Sequence, residues 1–215
     1  MAVTIASNIK RDQEIAHRAR EFIKVNRSFA IIGTPGAGKT TLVKAIMHNL
    51  DSRFYRPIWL SYAGCNRSGV PRILAEKVGL ELNRKGLPPL HKLKRHLAFQ
   101  QKEPGSPFPV MVGDESLDRT LRLESRRAIA SRMATVFCLE PLTQDESKTL
   151  LARRLETAKA PRDLFANDAM ELPATQCRGN RRELMNLGAM LCIEAHSREE
   201  KSITAELVLA TAPIQ

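Results

Sequence analysis

Aromatic side chains are scarce in this chain of 215 residues, where they make up 5% of the sequence and include a single tryptophan. Proteins that stack the bases of single-stranded nucleic acid need several exposed rings, so the composition argues against that class. Cysteine is scarce as well: Cys65, Cys138, Cys177 and Cys192 lie far apart, with no CxxC pair. This spacing excludes the usual zinc and disulfide frameworks and predicts reduced thiols.

Long apolar runs are also missing. No segment approaches the roughly 18 apolar residues of a membrane span, and the first twenty residues lack the apolar core of a signal peptide. We therefore expect a cytoplasmic protein. Acidic residues are outnumbered, with 23 Asp and Glu against 34 Lys and Arg, so the formal charge is +11. Such a balance favours an anionic partner, namely nucleic acid, a nucleotide or an acidic lipid, without choosing among them.

Short apolar runs alternate with segments of helical periodicity in the first two thirds of the chain, and the last third is helical throughout. The runs predict strands at residues 29–33, 57–62, 109–113 and 134–139, with Trp59 in the core. Alternation of this kind predicts an α/β fold, a parallel sheet flanked by helices, followed by a small helical lid. We expect helices at 10–26, 39–50, 70–80, 90–100, 116–132, 143–157, 163–171, 180–196 and 204–211, and three parts at 1–27, 28–142 and 143–215.

One motif dominates the sequence: GTPGAGKT at residues 33–40 matches GxxxxGK(S/T), directly after an apolar strand and before a helix. Glycines let the backbone wrap around phosphate oxygens, and the helix N-terminus adds partial positive charge. We expect Lys39 to reach the β- and γ-phosphates and Thr40 to complete a Mg²⁺ shell. The alternative is an ordinary glycine-rich turn. The predicted nucleotide-binding residues are Gly33, Thr34, Pro35, Gly36, Ala37, Gly38, Lys39, Thr40 and Thr41.

Two acidic residues follow the run at 109–113. Hydrolysis by proteins with this loop needs an acidic residue at the tip of a neighbouring strand. Asp114 is the candidate carboxylate ligand of Mg²⁺, and Glu115 is the candidate base that polarises the attacking water. The alternative is that both residues simply begin the next helix, where carboxylates favour the helix dipole.

Several segments together resemble AAA+ ATPases, in particular the group that includes the phage Mu transposition protein B, transposon target-selection ATPases and general secretion ATPases. Besides the phosphate loop, FCLEPLTQDE at 137–146 resembles the family's strand, PLT and acidic helix start. CRGNRREL at 177–184 resembles the sensor-2 signature, with Arg182 in the arginine position, and SITAELV at 202–208 resembles the last lid helix. The resemblance covers nearly the whole chain.

The resemblance implies an ATP- and Mg²⁺-dependent protein that assembles as a ring or filament on duplex DNA and serves a transposase. Arg182 would report the γ-phosphate, and Arg126, Arg127 or Arg132 would reach the nucleotide of a neighbouring subunit. One departure is that AAA+ cores have five parallel strands, whereas four are visible here. Residues 107–133 resemble the family's sensor-1 region as well as its acidic strand, which would leave the acidic strand missing near residues 100–107 and hydrolysis weak or absent.

The segment from Arg84 to Lys102 is rich in Lys and Arg and contains no acidic residue. Such a segment can neutralise DNA phosphates without reading the DNA sequence. The alternative is a solvated charged face. The expected DNA contacts are Arg84, Lys85, Lys92, Lys94 and Arg95. The leading interpretation is thus a DNA-binding transposition accessory. A non-hydrolysing relative, a secretion ATPase and a nucleoside monophosphate kinase are the alternatives.

Overall fold

A computed structural model of the protein describes residues 9–59, 69–77, 79–80, 109–166 and 169–211. The chain divides into two compact units, residues 1–48 with 110–215 and residues 49–109. In the described part of the second unit, one helix (α3) forms at Gly69–Lys77. All of the strands described below belong to the first unit.

The first unit carries the predicted alternation of strands and helices. After α1 and β1 come α2 and then, beyond the second unit, β2, α4, a 3-10 turn at Glu124–Arg126, α5 and β3, followed by four helices. The bounds are α1 Lys10–Lys24, β1 Ser28–Ile32, α2 Lys39–His48, β2 Val110–Gly113, α4 Glu115–Arg122, α5 Arg127–Ala130, β3 Met133–Cys138, α6 Gln144–Thr157, α7 Glu171–Gln176, α8 Arg181–Ser197 and α9 Ala205–Ala210.

The sheet of the described residues has three parallel strands in the order β2-β1-β3. Ile32 of β1 lies beside Gly113 of β2 and Cys138 of β3, so all three strands end at the same edge. β1 is the central strand, and its residues Phe29, Ala30 and Ile31 are buried. The predicted fold class, a parallel sheet of the phosphate-loop type flanked by helices, is confirmed.

Helix α1 packs its apolar side against the sheet through an aromatic cluster. The ring of Phe22 lies 6.3 Å from that of Phe29 on β1 and 6.0 Å from that of Phe137 on β3. Phe29 and Phe137 meet edge to face at 5.6 Å, an arrangement that aromatic pairs prefer. The segment predicted to precede the first strand is therefore part of the core.

The prediction of a strand at 57–62 is not supported in the residues that the structure describes. Residues 57–59 form no strand, and residues 60–62 lie outside the described residues. Trp59, predicted to lie in the core, is 37% exposed. A short apolar run has no periodicity that separates a strand from an irregular segment, so this prediction depended on composition alone.

Two helix predictions need correction. The helix expected at 116–132 breaks at Leu123, whose extended backbone (φ −64°, ψ 137°) separates α4 from the 3-10 turn and α5. The helix expected at 163–171 begins only at Glu171. Upstream of it, the amide of Ile203 donates to the Leu164 carbonyl (2.6 Å), and the amide of Ala166 donates to the Ile203 carbonyl (3.0 Å). This tertiary pairing takes backbone groups that a helix would have used.

The helices after β3 enclose a second hydrophobic core. Helical periodicity places apolar residues of α6, α8 and α9 on the side that faces this core, and the segments before α7 and α9 add further members. The buried side chains include Leu151, Phe165, Leu184, Leu187, Leu191, Ile203, Leu207 and Val208. Among the helices that the structure describes, none is both long and apolar enough to cross a bilayer.

Arg11 fastens α1 to the start of α6. Its guanidinium donates to both carboxylate oxygens of Glu146 (3.0 and 2.5 Å), to Glu140 (2.7 Å) and to the carbonyl of Pro141 (3.0 Å). Glu146 also accepts from the amide of Thr143 (2.8 Å) and so completes the capping box of α6. One arginine therefore joins the first helix to the beginning of the helical lid.

We predict that Glu146→Gln lowers stability at neutral pH by about 0.5–1 kcal/mol, because glutamine keeps the capping box but loses the ion pair with a partly exposed arginine. Hydrogen bonding from Arg11 and Thr143 lowers the pKa of Glu146. This stabilisation is present above the unfolded-state pKa of about 4.3 and is lost as the pH falls through the lower folded-state pKa. Urea unfolding of both proteins should therefore converge in acid. Glu156→Gln, on the same helix, is the control, because it removes a carboxylate that takes no part in the contact with Arg11.

Candidate nucleotide-binding site

The phosphate loop joins β1 to α2 at the carboxyl edge of the sheet, where the sequence predicts it. Gly36 and Gly38 have φ of +85° and +89°, a region that L-residues with a side chain rarely adopt. The Lys39 ammonium donates to the carbonyls of Gly33 (2.6 Å) and Thr34 (2.8 Å). The lysine therefore lies against the loop that it is predicted to serve.

The charge of Lys39 is held in a partly buried setting. Burial lowers the pKa of Lys39, the nearby charge of Arg182 acts in the same direction, and the carboxylate of Asp114 opposes both. An ammonium group that has lost water and faces another cation is stabilised by any anion that enters. This electrostatic arrangement favours a phosphate group beside Lys39.

A pocket of about 290 Å³ opens beside the loop. Its polar lining contains five cationic side chains and one carboxylate, while apolar side chains lie among them. The cations are Lys39, Arg153, Arg154, Arg181 and Arg182, the acid is Asp12, and the larger apolar members are Ile9, Leu150 and Met185. Concave sites with a few convergent polar groups are the usual places for small ligands, and the charge here selects an anion.

The start of α8 holds the phosphate loop by its carbonyl groups. The side-chain amide of Asn180 donates to the Pro35 carbonyl (3.2 Å), and the backbone amide of Arg182 donates to the Gly36 carbonyl (3.2 Å). The guanidinium of Arg181 donates to the next carbonyl, that of Ala37. Three consecutive residues of the lid thus bind three consecutive carbonyls of the loop.

Arg181 also forms a buried ion pair with Asp12 of α1. Nη2 donates to both carboxylate oxygens, at 2.8 and 3.0 Å, and the two side chains are 11% and 6% exposed. Burial raises the pKa of Asp12 and lowers that of Arg181, and each charge opposes the effect on its partner. Two short hydrogen bonds from one nitrogen to both carboxylate oxygens fit an ionised pair, which therefore connects α1, the phosphate loop and α8.

The sequence prediction selected Arg182 and missed its neighbour. The Arg182 side chain is exposed and lines the pocket, and its role towards a γ-phosphate stays a prediction. A signal for Arg181 was present in α1, where Asp12 shares one helical stripe with Ala16, Ala19 and Ile23. A carboxylate on the buried stripe of a helix requires a cation from elsewhere in the chain.

Gly179 and Asn180 place α8 correctly for these contacts. Gly179 has φ +78°, its carbonyl accepts from the amide of Leu142 (3.0 Å), and a Cβ there would lie 2.6 Å from that nitrogen. The Asn180 side chain caps the helix by accepting from the amides of Arg182 (3.1 Å) and Glu183 (3.3 Å). The glycine-asparagine pair predicted to begin this helix is thus packed against the segment that follows β3.

Asp114 and Glu115 follow β2, the neighbour of the strand that leads into the loop. Asp114 caps α4, because its Oδ1 accepts from the amide (2.9 Å) and the hydroxyl (2.5 Å) of Ser116. These bonds, with a smaller contribution from the charge of Lys39, lower the pKa of Asp114. Glu115 is exposed as the first residue of α4. The helix-start interpretation is therefore observed, and the catalytic roles stay predictions.

The two side chains that the sequence predicts as Mg²⁺ ligands, Thr40 and Asp114, carry oxygen atoms of the kind that this ion binds. The Thr40 side chain is exposed in the first turn of α2, and both hydrogen bonds to Asp114 use one carboxylate oxygen, Oδ1. Hydroxyl and carboxylate oxygens are the ligands that Mg²⁺ prefers, usually together with water. Capping of α4 and coordination through Oδ2 are compatible with each other.

The remaining predicted residues lie away from these contacts or outside the described residues. Arg126, Arg127 and Arg132 are exposed around the 3-10 turn and α5, and Arg132 donates to the carbonyl of Ala128. The five predicted DNA-contact residues between positions 84 and 95 lie outside the described residues. No cluster of three or more metal-ligating side chains occurs in the part of the chain that the structure describes.

No protein-family model and no curated protein matches the sequence. Solved structures do match the fold. The Aeropyrum pernix ORC2 protein in its ADPNP and ADP complexes superposes with a TM-score of 0.69 at 16% identity, over 95% of this chain and 68% of that one. The Thermotoga maritima RuvB Holliday junction branch migration motor superposes with a TM-score of 0.64 at 20% identity, over 94% of this chain and 68% of that one.

Domain III of the replication initiation protein DnaA from Thermotoga maritima gives a TM-score of 0.62 at 15% identity, over 94% of this chain and 90% of that one. The chain has the AAA+ fold. Identities this low establish the fold alone, because one fold hosts many activities. Membership of the Mu transposition protein B group, which several segments of the chain resemble, stays a prediction within the AAA+ fold.

Gly38→Ala is predicted to disturb the contact between the loop and α8. A Cβ at Gly38 would lie 2.9 Å from Cδ of Arg181, in addition to the cost of φ +89°. We expect a loss of about 1–3 kcal/mol in the free energy of unfolding, measured by denaturant titration, and weaker nucleotide binding. Gly79→Ala is the control, since Gly79 has φ +75° but nothing within 4 Å of the added Cβ. Normal nucleotide affinity in Gly38→Ala would contradict the prediction.

Proposed function

We propose that this protein binds ATP with Mg²⁺ in the pocket between the phosphate loop, α1 and the lid helices. The observation that carries the proposal is the loop itself: GxxxxGKT between β1 and α2, in a pocket where four arginines and one carboxylate lie beside the loop's own lysine. Arg154 adds support, because its Nε is buried and has no hydrogen-bond partner among the described residues. An anionic ligand would supply that partner.

In the proposed complex the phosphates lie on the loop, and the base extends towards the apolar lining. Lys39 would leave the loop carbonyls for the β- and γ-phosphates, and Arg182 would contact the γ-phosphate from the lid. Ile9, Leu150 and Met185 would pack against the base. Thr40 and Asp114 would hold Mg²⁺, which would neutralise charge at the phosphates. We assign residues 28–142 to the ATPase core and 143–215 to the lid.

We further propose that the bound ATP is hydrolysed, with Glu115 as the base for the attacking water. Arg126, Arg127 or Arg132 would complete the site of a neighbouring subunit in a homo-oligomer, since all three are exposed. The alternative interpretation assigns β2 and α4 to the sensor-1 region. Nucleotide then serves assembly alone, and turnover is weak or absent.

The proposed role of the ATP-bound oligomer is to bind duplex DNA without sequence preference in the cytoplasm, as an accessory of transposition that recruits a transposase. The charge of +11 supports an anionic partner. RuvB and DnaA, whose folds this chain shares, are named for Holliday junction branch migration and for replication initiation. The transposition role depends on the sequence resemblance. A secretion ATPase and, less favourably, a nucleoside monophosphate kinase are the alternatives.

ATP turnover with and without duplex DNA tests the function directly. We expect turnover that DNA stimulates and that Lys39→Ala abolishes, together with DNA binding that weakens steeply as salt rises. Changing Arg84, Lys85, Lys92, Lys94 and Arg95 together to alanine should remove the DNA stimulation and leave basal turnover unchanged. ATP binding without turnover would favour the non-hydrolysing relative, and turnover that requires a nucleoside monophosphate would favour a kinase.

Asp114→Asn separates the two roles of that residue. Asparagine is a good helix cap, so the variant keeps α4 in place and loses only the negative charge. If Asp114 is a ligand of Mg²⁺, we expect the Mg²⁺-dependent affinity for ATP to fall at least tenfold in Asp114→Asn and turnover to be lost. Asp114→Ala is the comparison, since it also removes the cap. Unchanged magnesium dependence with reduced turnover would instead assign β2 to the sensor-1 region.

A further inference from the structure

The loop carbonyls held by α8 determine where the loop amides point. The peptide bond is planar and trans, so a carbonyl and the amide of the following residue point in opposite directions; the described chain has no cis peptide bond. The Pro35 and Ala37 carbonyls point to Asn180 and Arg181. The amides of Gly36 and Gly38 therefore point away from α8, and these are groups of the kind that bind phosphate oxygens.

We propose that Arg181 is a positioning residue, which Asp12 holds in place so that the phosphate loop has its anion-binding conformation before nucleotide arrives. The proposal rests on the proposed function, because it concerns two residues that position the phosphate loop of the same site. Arg181 reaches the loop through the Ala37 carbonyl with Nη1, while Nη2 is held by Asp12 at 2.8 and 3.0 Å. The two contacts use different nitrogens of one planar group, so fixing one orients the other.

A purely stabilising role does not account for this arrangement. Burying two charges costs desolvation, and apolar residues of similar size often serve stability as well or better. The pair here instead joins three separate elements at one point, and Gly38 leaves room for it, since Cδ of Arg181 lies 2.9 Å from where a Cβ at that glycine would be. The specific property that only this pair supplies is a fixed direction for the Ala37 carbonyl.

Lysine cannot reproduce the contact, because one ammonium group lacks the two-pronged geometry of a guanidinium. Arg181→Lys keeps the positive charge beside Asp12 but loses the second donor, which holds the Ala37 carbonyl. Asp12→Asn keeps the shape of the partner and gives up its charge. The matched control is Arg198→Lys, which alters an exposed arginine just after the same helix, 3.5 Å from Glu194.

Two readouts separate positioning from a general loss of structure. The first is the dissociation constant of Mg-ATP against that of adenosine, which lacks phosphates. We expect both Arg181→Lys and Asp12→Asn to weaken Mg-ATP binding about tenfold, which corresponds to about one charged hydrogen bond, and to leave adenosine binding unchanged. Arg198→Lys should bind both ligands as the parent protein does.

The second readout needs no nucleotide. Glycine-selective ¹⁵N labelling gives a spectrum of 11 glycines, in which Gly36 and Gly38 can be assigned by substitution. We expect their amide signals to move in both variants and to stay in place in Arg198→Lys, while melting curves confirm that all three are folded. If neither signal moves and Mg-ATP affinity stays within twofold, the proposal is wrong.

The two proposals fail in different ways. If the parent protein does not bind Mg-ATP, the proposed function is wrong, and the glycine signals still decide whether Arg181 sets the loop. If Mg-ATP binds and Lys39→Ala abolishes binding, but the Arg181 and Asp12 variants bind normally, only the positioning role is wrong. Loss of the folded state in both variants would show that the pair serves the fold, which also overturns positioning.

Discussion

The contact between the start of α8 and the phosphate loop is the interaction on which the arrangement of this protein depends. Asn180, Arg181 and the backbone of Arg182 hold three successive loop carbonyls, and Arg181 extends the contact to Asp12 of α1. A glycine-rich loop has many conformations of similar energy, so contacts from outside the loop add to its order. Here such contacts come from a helix that lies more than 140 residues further along the chain.

The phosphate loop, the parallel sheet and the capped lid helices could be predicted because each has a local cause. Spacing, periodicity and capping residues act within a few positions, and the capping box of Thr143 with Glu146 is an example of such a local cause. Such local rules do not predict the break at Leu123 or the irregular backbone at 57–59. The Asp12–Arg181 pair joins residues 169 positions apart. The sequence marks one half of it, an acid on a buried helical stripe, and no local rule identifies the other half.

Charge has two uses in this molecule, and the Asp12–Arg181 pair belongs to both. Around the pocket, cations outnumber carboxylates five to one and lie close to a backbone loop, an arrangement that suits a polyanionic ligand. At the junction of α1 with the lid, charges occur in matched pairs: Arg11 with Glu146, and Arg181 with Asp12. Adjacent residues of α1 carry opposite charges and contact different helices of the lid. The first helix is therefore oriented by two contacts rather than one.

The separation between Asp12 and Arg181 has a consequence for how the protein is made. A ribosome delivers α1, β1 and the phosphate loop first, and Arg181 only after 168 intervening residues have been added. Until then the carboxylate of Asp12 lacks its cation, and the Ala37 carbonyl lacks its donor. The loop of a nascent chain is thus without the contacts with α8 and Asp12 until Arg181 has been added, and the nucleotide site cannot mature before that point.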